Sequence, residues 1–422
     1  MVDKDLFLHD LSVVAIMKNE GHYIKEWLDY HLLAGVDHFY LYDNESPDNQ
    51  AEVVKPYVEA GIVDYFHMPG KAMQMVAYND AVKRFKFQSR YMAFIDGDEF
   101  IYPKTGQSVV EVVDALLNGK PNAAGLAVNW QCFGSNGQEK ADYSRGVLER
   151  FTRRAPSNWI RCETIGGNQL IKNISNPRAI NFVKNPHYST YFEGLYSVNE
   201  YGGLVESWSN APVTVEKIVM NHYNTKSREE YFDKISRGTA DNVKNIYNMS
   251  FFEIRDRNDE FDDGILKYRD ERAKNFKLPD KSGATKRLLD ALMKNLSPMI
   301  LPKTPPSFYK GKLETFLTCR AVAEYLRTKL PDNKSIGFLE EAALKAIVLS
   351  LSSGGMTFAD LRLLLSELPN LLALPYPVVK NLRRVVLNII PQMMNVMRLN
   401  NLWKDYTELD YLQRLLRVWK TQ

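Results

Sequence analysis

The chain is poor in cysteine and has no long apolar run, and each absence excludes a class of protein. Its three cysteines, Cys132, Cys162 and Cys319, lie far apart and form no CxxC pair. Such a set predicts free thiols in a reducing compartment, and it excludes a disulfide framework and a cysteine-rich zinc site. No uninterrupted apolar run reaches about 18 residues, so no membrane-spanning helix is expected.

Two further absences concern the N-terminal segment and the glycine motifs. "MVDKDLFLHDLS" carries charged residues where a signal peptide has its apolar region, so we expect no signal peptide and a cytoplasmic location. The sequence contains no GxxxxGK[ST] motif, and no GxGxxG motif follows the first predicted strand. A bound nucleotide is therefore expected to be held in neither of those ways.

The net charge of +3 conceals an uneven distribution. Residues 281–422 contain 21 basic and 11 acidic side chains, whereas the preceding residues contain 33 basic and 40 acidic ones. With 45% hydrophobic and 25% charged residues, the composition is that of a globular protein. The sequence thus predicts two regions with different roles.

Strand and helix patterns alternate over the first hundred residues. The predicted strands cover 11–17, 37–43, 61–68 and 91–95, and the helices between them cover 23–34, 51–60 and 72–87. This succession predicts an α/β fold, a mostly parallel sheet with helices on both faces. In such sheets ligands bind beyond the carboxyl ends of the strands, where "KNE", "YDNESPD" and "DGDEF" all fall.

The rest of the chain divides into a strand-like part and a helical part. "GLAVNW", "GVLERF" and "KIVMNH" predict strands, and Ser227 and Glu230 have capping-box spacing for a helix that ends near Gly238. From residue 310 onward the apolar residues recur at helical spacing. The predicted organisation is an α/β domain, a charged connecting segment and a helical C-terminal region, covering residues 1–240, 241–284 and 285–422.

"FIDGDEF" places three carboxylates, Asp96, Asp98 and Glu99, directly after a buried strand. In an extended chain Asp96 and Asp98 point to the same side, and Gly97 leaves room for a ligand near the backbone. Paired carboxylates suit Mg²⁺ or Mn²⁺, with substrate phosphates completing the coordination. A solvated acidic loop is the alternative. An EF-hand is excluded because "DGDEFIYPKTGQ" lacks the glutamate at its twelfth position.

The motifs also resemble a known family when they are taken in order. "VVAIMKNEGHYIKEWLDYHLLAGVDHFYLYDNESPD", "YND", "FIDGDEFI", "NWQCFGSNG", "LERF", "NPHY" and "NHYNTKS" are similar to glycosyltransferase family 92 and related family 2 enzymes. The resemblance covers roughly residues 10–240. It implies a GT-A fold, which is Rossmann-like, and transfer of a sugar from a nucleotide donor, expected to be a UDP-sugar, to a saccharide or glycolipid acceptor.

The resemblance also assigns residues to the donor. Lys18, Asn19 and Glu20 fall where such enzymes bind the nucleotide after the first strand, and Asp43 falls where a carboxylate reads the uracil edge. The predicted helix start beside Lys226 is a natural site for the diphosphate.

The DxD pair and a histidine are the implied metal ligands for Mn²⁺ or Mg²⁺. Asp98 is expected to bind the metal directly, and Asp96 to lie nearer the ribose. His222 and His187 are both candidates for the histidine, with His222 preferred because it ends a predicted strand. The metal would stabilise the departing diphosphate as a Lewis acid, which makes Asp98 catalytic as well.

The family is expected to invert the anomeric centre, which requires a general base that deprotonates the acceptor hydroxyl. Glu149 in "LERF" is the first candidate, and Glu163 and Glu193 are alternatives. Two other functions stay open: a nucleotidyltransferase of similar fold, and a non-catalytic carbohydrate- or nucleotide-binding module.

The basic helical segment 377–406 raises the question of partners. A helical bundle or homo-oligomer face is one interpretation, and peripheral contact with the inner face of a membrane is another. Nucleic-acid binding is not expected, because the basic residues form no dense stripe with exposed aromatic side chains.

Overall fold

The computed structural model describes residues 2–160, 167–237, 248–279, 281–300 and 304–399. The chain forms two compact units. The larger unit comprises Phe7–Gly283, and the smaller one comprises Met1–Leu6 together with Ala284–Gln422. The domain boundaries expected from the sequence stay a prediction. Cys132 and Cys319 are buried, and Cys162 lies outside the described residues.

The larger unit is built on one extensive β-sheet. Its strands are β1 His9–Met17, β2 His38–Asp43, β3 Val63–His67, β4 Ser89–Phe94, β5 Glu99–Pro103, β6 Ala123–Cys132, β8 Ile171–Ser175, β11 Tyr196–Val198, β12 Leu204–Val205 and β13 Ile218–His222. The strand order is β12-β11-β6-β8-β4-β1-β2-β3, with β13 paired to both β5 and β6. β1 runs parallel to β2 and β4, and β2 runs parallel to β3. β8 runs antiparallel to β4 and β6, and β5 runs antiparallel to β13.

Helices flank this sheet, and short strand pairs complete the unit. The helices are α1 Ile24–Leu33, α2 Gln50–Glu59, α3 Gln74–Phe85, α4 Val109–Leu117, α5 Val147–Arg150, α6 Arg228–Arg237, α7 Met249–Arg255 and α8 Gly264–Ala273. The short strands are β7 Arg153–Arg154, β9 Ile180–Val183, β10 Ser189–Tyr191 and β14 Glu260–Phe261. The predicted α/β class, with its largely parallel sheet, is confirmed.

The sheet separates two apolar cores because side chains of a strand alternate between its faces. In β1, Leu11, Val13 and Ala15 pack in one core with residues of α1 and α4. Val14 and Ile16 pack in the other core with residues of α3. Burial on both faces explains why β1 reads as a continuous apolar run.

"GVLERF" was expected to be a strand, and this prediction is wrong. The segment forms the short helix α5, and the carboxylate of Glu26 accepts the amide protons of Val147 at 2.5 Å and Leu148 at 3.3 Å. Glu26 on α1 thus caps α5. The first of these two bonds joins residues that lie 121 positions apart in the chain. No local pattern in the sequence shows that contact.

The smaller unit is helical, as expected. Its helices are α9 Ala284–Ile300, α10 Leu313–Lys329, α11 Lys334–Ser352, α12 Phe358–Leu372 and α13 Val378–Leu399. In α13, Val378, Leu382 and Val386 are buried at intervals of four residues, while Lys380 and Arg384 are exposed. Among the helices that the structure describes, none is long and apolar enough to cross a membrane.

Candidate active site

The second aspartate of "DGD" lies between a lysine and a histidine at the carboxyl edge of the sheet. Lys234 Nζ donates to Asp98 Oδ2 at 2.6 Å, and His222 Nε2 is 3.5 Å from Asp98 Oδ1. The Asp98 side chain is only 12% exposed. Burial opposes ionisation of this carboxyl, but the Lys234 ammonium and the His222 ring hold its pKa well below the ordinary value. Asp98 is therefore a carboxylate at neutral pH.

Strand pairing explains why His222 meets Asp98. β13 runs antiparallel to β5, with His222 opposite Glu99, and the Tyr223 amide donates to the Asp98 carbonyl at 2.9 Å. Burial lowers the pKa of His222, so its imidazole is neutral near pH 7. The end of β13 thus places a neutral imidazole nitrogen beside Asp98, the carboxylate that follows β4.

The first aspartate of the pair has a different set of partners. Asp96 Oδ2 accepts a hydrogen bond from Lys172 Nζ at 2.9 Å, and Asp96 Oδ1 accepts one from Gln74 Nε2 at 2.6 Å. The Lys172 side chain is fully buried on β8 and also lies 3.3 Å from Glu99 Oε2. Burial raises the pKa of Glu99, while the Lys172 ammonium opposes that shift. The Asp96 oxygens are therefore already occupied by protein donors.

Lys226 stands at the entrance to α6, near the same edge. Its Nζ lies 3.6 Å from Glu20 Oε2 and 3.5 Å from the centre of the Tyr23 ring, an ion pair combined with a cation–π contact. Lys226 and Asn19 both adopt positive φ angles, 50° and 58°. Such backbone geometry in non-glycine residues concentrates at functional sites.

The start of α6 is fixed by the predicted capping box, which is confirmed. The Glu230 amide donates to Ser227 Oγ at 3.3 Å, and the Ser227 amide donates to Glu230 Oε2 at 3.0 Å. Arg150 binds the same carboxylate through two nitrogens, at 2.9 and 2.6 Å, and the Tyr23 hydroxyl donates to it at 2.7 Å. Burial raises the pKa of Glu230, but these hydrogen bonds together lower it to about 2. Breaking such a buried pair costs about 3–5 kcal/mol.

The other residues expected to bind the nucleotide also lie at strand ends. Lys18 and Asn19 directly follow β1, and the Asn19 amide donates to Ser46 Oγ at 3.0 Å. Asp43 ends β2, and its Oδ1 accepts hydrogen bonds from Gln50 Nε2 at 3.0 Å and from the Ser46 amide at 3.2 Å. These contacts connect the ends of β1 and β2, and their roles toward a nucleotide stay predictions.

His187 lies beside the histidine of the site but has its own partner. Its Nδ1 is 3.2 Å from the Ile171 carbonyl oxygen, and burial lowers its pKa to about 3. The Trp130 ring contacts both histidines, because its centre lies 4.9 Å from that of the His187 ring and 4.0 Å from that of the His222 ring. Among the contacts of the described residues, His187 makes none with Asp98, whereas His222 does.

The candidates for the general base are not gathered at this edge. Glu149 is exposed on α5, with Oε1 3.3 Å from Arg269 Nη1. Glu193 is exposed between β10 and β11, and Glu163 lies outside the described residues. Within the described contacts Glu149 touches neither Asp98 nor His222, so its role stays a prediction.

Lys172 and Lys234 were missed by the sequence analysis, although signals for both exist. Lys172 interrupts the apolar strand "LIKNIS", where a buried lysine requires a carboxylate partner. Lys234 follows Glu230 by four residues, so the two share one face of α6. That spacing connects Lys234 with the capping box and the site.

The donor set at Asp98 fits Mn²⁺ or Mg²⁺ if substrate oxygens complete it. Asp98 supplies a charged oxygen and His222 a neutral nitrogen, and their separation of 3.5 Å is long for a charge-assisted hydrogen bond. The buried His222 Nδ1 has no hydrogen-bond partner within the described part of the chain. No group of three or more His, Cys, Asp or Glu side chains in that part is arranged to hold a metal. The described residues at this site thus offer two ligands for a metal, Asp98 and His222.

A second cluster of titratable groups lies at the amino edge of the same sheet. The rings of His9 and His38 stack with centres 3.9 Å apart. Lys281 Nζ lies 3.3 Å from His9 Nδ1, 3.1 Å from His38 Nδ1 and 3.2 Å from the Gly61 carbonyl oxygen. Asp64 Oδ2 is 3.4 Å from His38 Nε2. Burial lowers the pKa of His38, and Lys281 adds to that effect.

A comparison with protein families identifies the chain. A family model described as Glycosyltransferase family 92 matches residues 14–264. The matched segment and the α/β fold that contains it define the class of protein, a glycosyltransferase. The chain belongs to glycosyltransferase family 92.

Curated relatives agree with this assignment. A family 92 glycosyltransferase of Ricinus communis is 25% identical over 252 residues, which cover 59% of this chain and 41% of the relative. A galactan β-1,4-galactosyltransferase of Arabidopsis thaliana is 32% identical over 108 residues, 22% of this chain and 20% of that protein. The chain therefore spans less than half the length of the curated relatives it matches.

Among solved structures, S. aureus TarS in complex with UDP is 12% identical, with a TM-score of 0.28. The match covers 81% of this chain and 90% of that one. At this level of similarity neither its fold nor its ligand is transferred to this chain.

Proposed function

We propose that the protein is a metal-dependent, inverting glycosyltransferase that transfers a hexosyl group from a UDP-sugar to a saccharide or glycolipid acceptor. The observation that carries the proposal is the group formed by Asp98 and His222, with Lys226 just before α6 and Lys234 on that helix. Two metal ligands and two cations at the carboxyl edge of the sheet suit a nucleoside diphosphate. Membership of family 92 supports sugar transfer.

The proposed reaction places negative charge on a departing diphosphate. The Lys226 ammonium, held by Glu20 and the Tyr23 ring, is positioned to stabilise this charge without reorganising. Asp98 and His222 would hold a divalent cation, whose chemistry here is Lewis-acid stabilisation of the leaving group. The buried Arg150–Glu230 pair keeps the start of α6 rigid, so that Lys226 stays in place.

The acceptor side is less defined. Inversion requires a general base for the acceptor hydroxyl. Glu149 is the candidate from the sequence, but it is exposed and pairs with Arg269, so we expect its substitution to have little effect. The galactosyl transfer named for the Arabidopsis relative makes UDP-galactose the first donor to try. A cytoplasmic location, contact with a membrane surface and a homo-oligomer formed through the C-terminal helices stay hypotheses.

Calorimetric titration with UDP tests the proposal. We expect UDP to bind in the presence of Mn²⁺ and to bind at least about tenfold more weakly after Asp98→Asn, since the metal loses its charged ligand. Asp64→Asn is the matched control, because Asp64 is a carboxylate beside a histidine at the opposite edge. Equal affinity in the native protein and Asp98→Asn, with and without Mn²⁺, would remove the metal site from the proposal.

Hydrolysis and transfer are measured next. Release of UDP from UDP-galactose in the presence of oligosaccharides is the expected reaction. Release of pyrophosphate from UTP and a sugar phosphate would instead identify a nucleotidyltransferase.

A further inference from the structure

Asp98 already has a cation in the position where a metal would compensate its charge. Lys234 Nζ donates to Asp98 Oδ2 at 2.6 Å and to the Asn224 carbonyl at 3.2 Å. A divalent cation bound to Asp98 would share this carboxylate with the ammonium. Two cations on one partly buried carboxylate repel each other strongly.

The three lysines of the site differ in their freedom to move. The side chain of Lys172 is fully buried between Asp96 and Glu99, and that of Lys226 is 9% exposed. The side chain of Lys234 is 29% exposed. A long lysine chain that reaches its partner from solvent can withdraw without opening a cavity. Lys234 is therefore the cation that can leave.

We propose that Lys234 is a counter-ion that a divalent metal must displace from Asp98, so that metal and nucleoside diphosphate bind the site together. The inference rests on the proposed function and adds to it the order of assembly. Metal alone loses the Lys234–Asp98 ion pair and gains two protein ligands. When the diphosphate is present, its oxygens complete the coordination and its charge offsets the repulsion between the two cations.

The proposal implies a coupling between the two ligands. If the diphosphate strengthens metal binding by some factor, the metal strengthens diphosphate binding by the same factor. Removing the ammonium removes the competitor, so metal alone should bind better. The factor by which the diphosphate strengthens metal binding should then decrease, because no repulsion between the metal and the Lys234 ammonium is left for the diphosphate to offset.

Mn²⁺ binding measured by electron paramagnetic resonance, without and with UDP, tests this coupling. We expect Lys234→Met to bind Mn²⁺ alone at least about tenfold more tightly than the native protein, and UDP to strengthen its Mn²⁺ binding by a smaller factor. Lys234→Gln should behave likewise, and it retains a polar group if Lys234→Met does not fold. Arg228→Met is the matched control, since Arg228 lies on α6 but pairs with Glu253. It should bind Mn²⁺ like the native protein.

Two results would overturn the proposal. If both Lys234 variants bind Mn²⁺ alone no more tightly than the native protein, Lys234 does not compete with the metal. If no variant binds Mn²⁺ even with UDP, there is no metal to displace. Calorimetry with UDP on the same samples tests the donor site separately. If UDP binds, the donor site is intact and only the displacement of Lys234 fails. If UDP does not bind, the proposed function itself fails.

Discussion

The two edges of the central sheet each surround a lysine with titratable groups, but with opposite chemistry. At the carboxyl edge Lys172 and Lys234 face carboxylates, and Asp98 remains ionised although it is mostly buried. At the amino edge Lys281 lies 3.1 to 3.3 Å from two stacked imidazoles and a carbonyl oxygen. The carboxyl edge can exchange one cation for another at Asp98, because this carboxylate stays charged. The amino edge offers its lysine imidazole nitrogens at hydrogen-bond distance instead of a carboxylate.

Removing one histidine from each edge tests whether the two edges differ in function. His222→Ala should lower turnover by about 100-fold or more, because the proposed cation loses one of its two protein ligands. His38→Ala, the matched variant at the amino edge, should leave turnover within about threefold of the native value. Steady-state rates with UDP-galactose measure both. Equal losses in the two variants would show that His222 acts through stability alone.

Removing one lysine from each edge compares the two in stability. Lys172→Met leaves Asp96 and Glu99 without their buried partner and should cost about 3–5 kcal/mol of unfolding free energy. Lys281→Met removes a donor to two imidazole nitrogens and a carbonyl oxygen and should cost only about 1–2 kcal/mol. Urea unfolding of the two variants gives both values. A larger loss for Lys281→Met would contradict the charge assignment of the edges.

The amino edge should respond to pH in a defined direction. Burial and Lys281 lower the pKa of His38, so below its ordinary value of 6.5 the unfolded chain binds a proton more readily than the folded one. Stability should therefore be complete above about pH 6.5 and decrease as the pH falls toward the lowered pKa. The titratable groups that face His38 are His9, Tyr40, Asp64 and Lys281.

Unfolding free energies between pH 7 and 5 measure this response, with Lys281→Met as the comparison. That variant lacks the ammonium that repels a protonated His38, so its stability should decrease less steeply. An equal slope in both proteins would show that burial alone lowers the pKa.

The smallest effect is expected at α5. Glu149→Gln should change turnover by less than about threefold, because this exposed carboxylate pairs with Arg269. A loss of about 100-fold, together with loss of the basic limb of the acid–base profile, would instead assign Glu149 as the general base.

Local patterns were sufficient to predict the elements that are buried on both faces or capped by near neighbours. β1 to β4 follow from apolar runs with helices between them, and the start of α6 follows from Ser227 and Glu230. The parallel direction of β1 to β4 also follows, because successive parallel strands are joined by crossover helices. Such features depend on residues within a few positions of one another.

Contacts between distant residues could not be predicted in the same way. Glu26 caps α5 from another helix, and Lys172 reaches Asp96 across 76 residues. The DGD spacing predicted only that Asp96 and Asp98 point to the same side, whereas the structure gives them different partners. That difference arises from which strand lies beside each carboxylate, and sequence spacing within one motif contains no such information.

The contact between Trp130 and His222 has a spectroscopic consequence. With the ring centres 4.0 Å apart, an ion bound at His222 would lie close to the indole. Paramagnetic Mn²⁺ would quench the emission of Trp130, whereas diamagnetic Mg²⁺ would not. The chain has six tryptophans, so the difference between the native protein and Trp130→Phe isolates the signal. Trp130 would thus report occupancy of the proposed metal site, with neither a labelled donor nor a known acceptor.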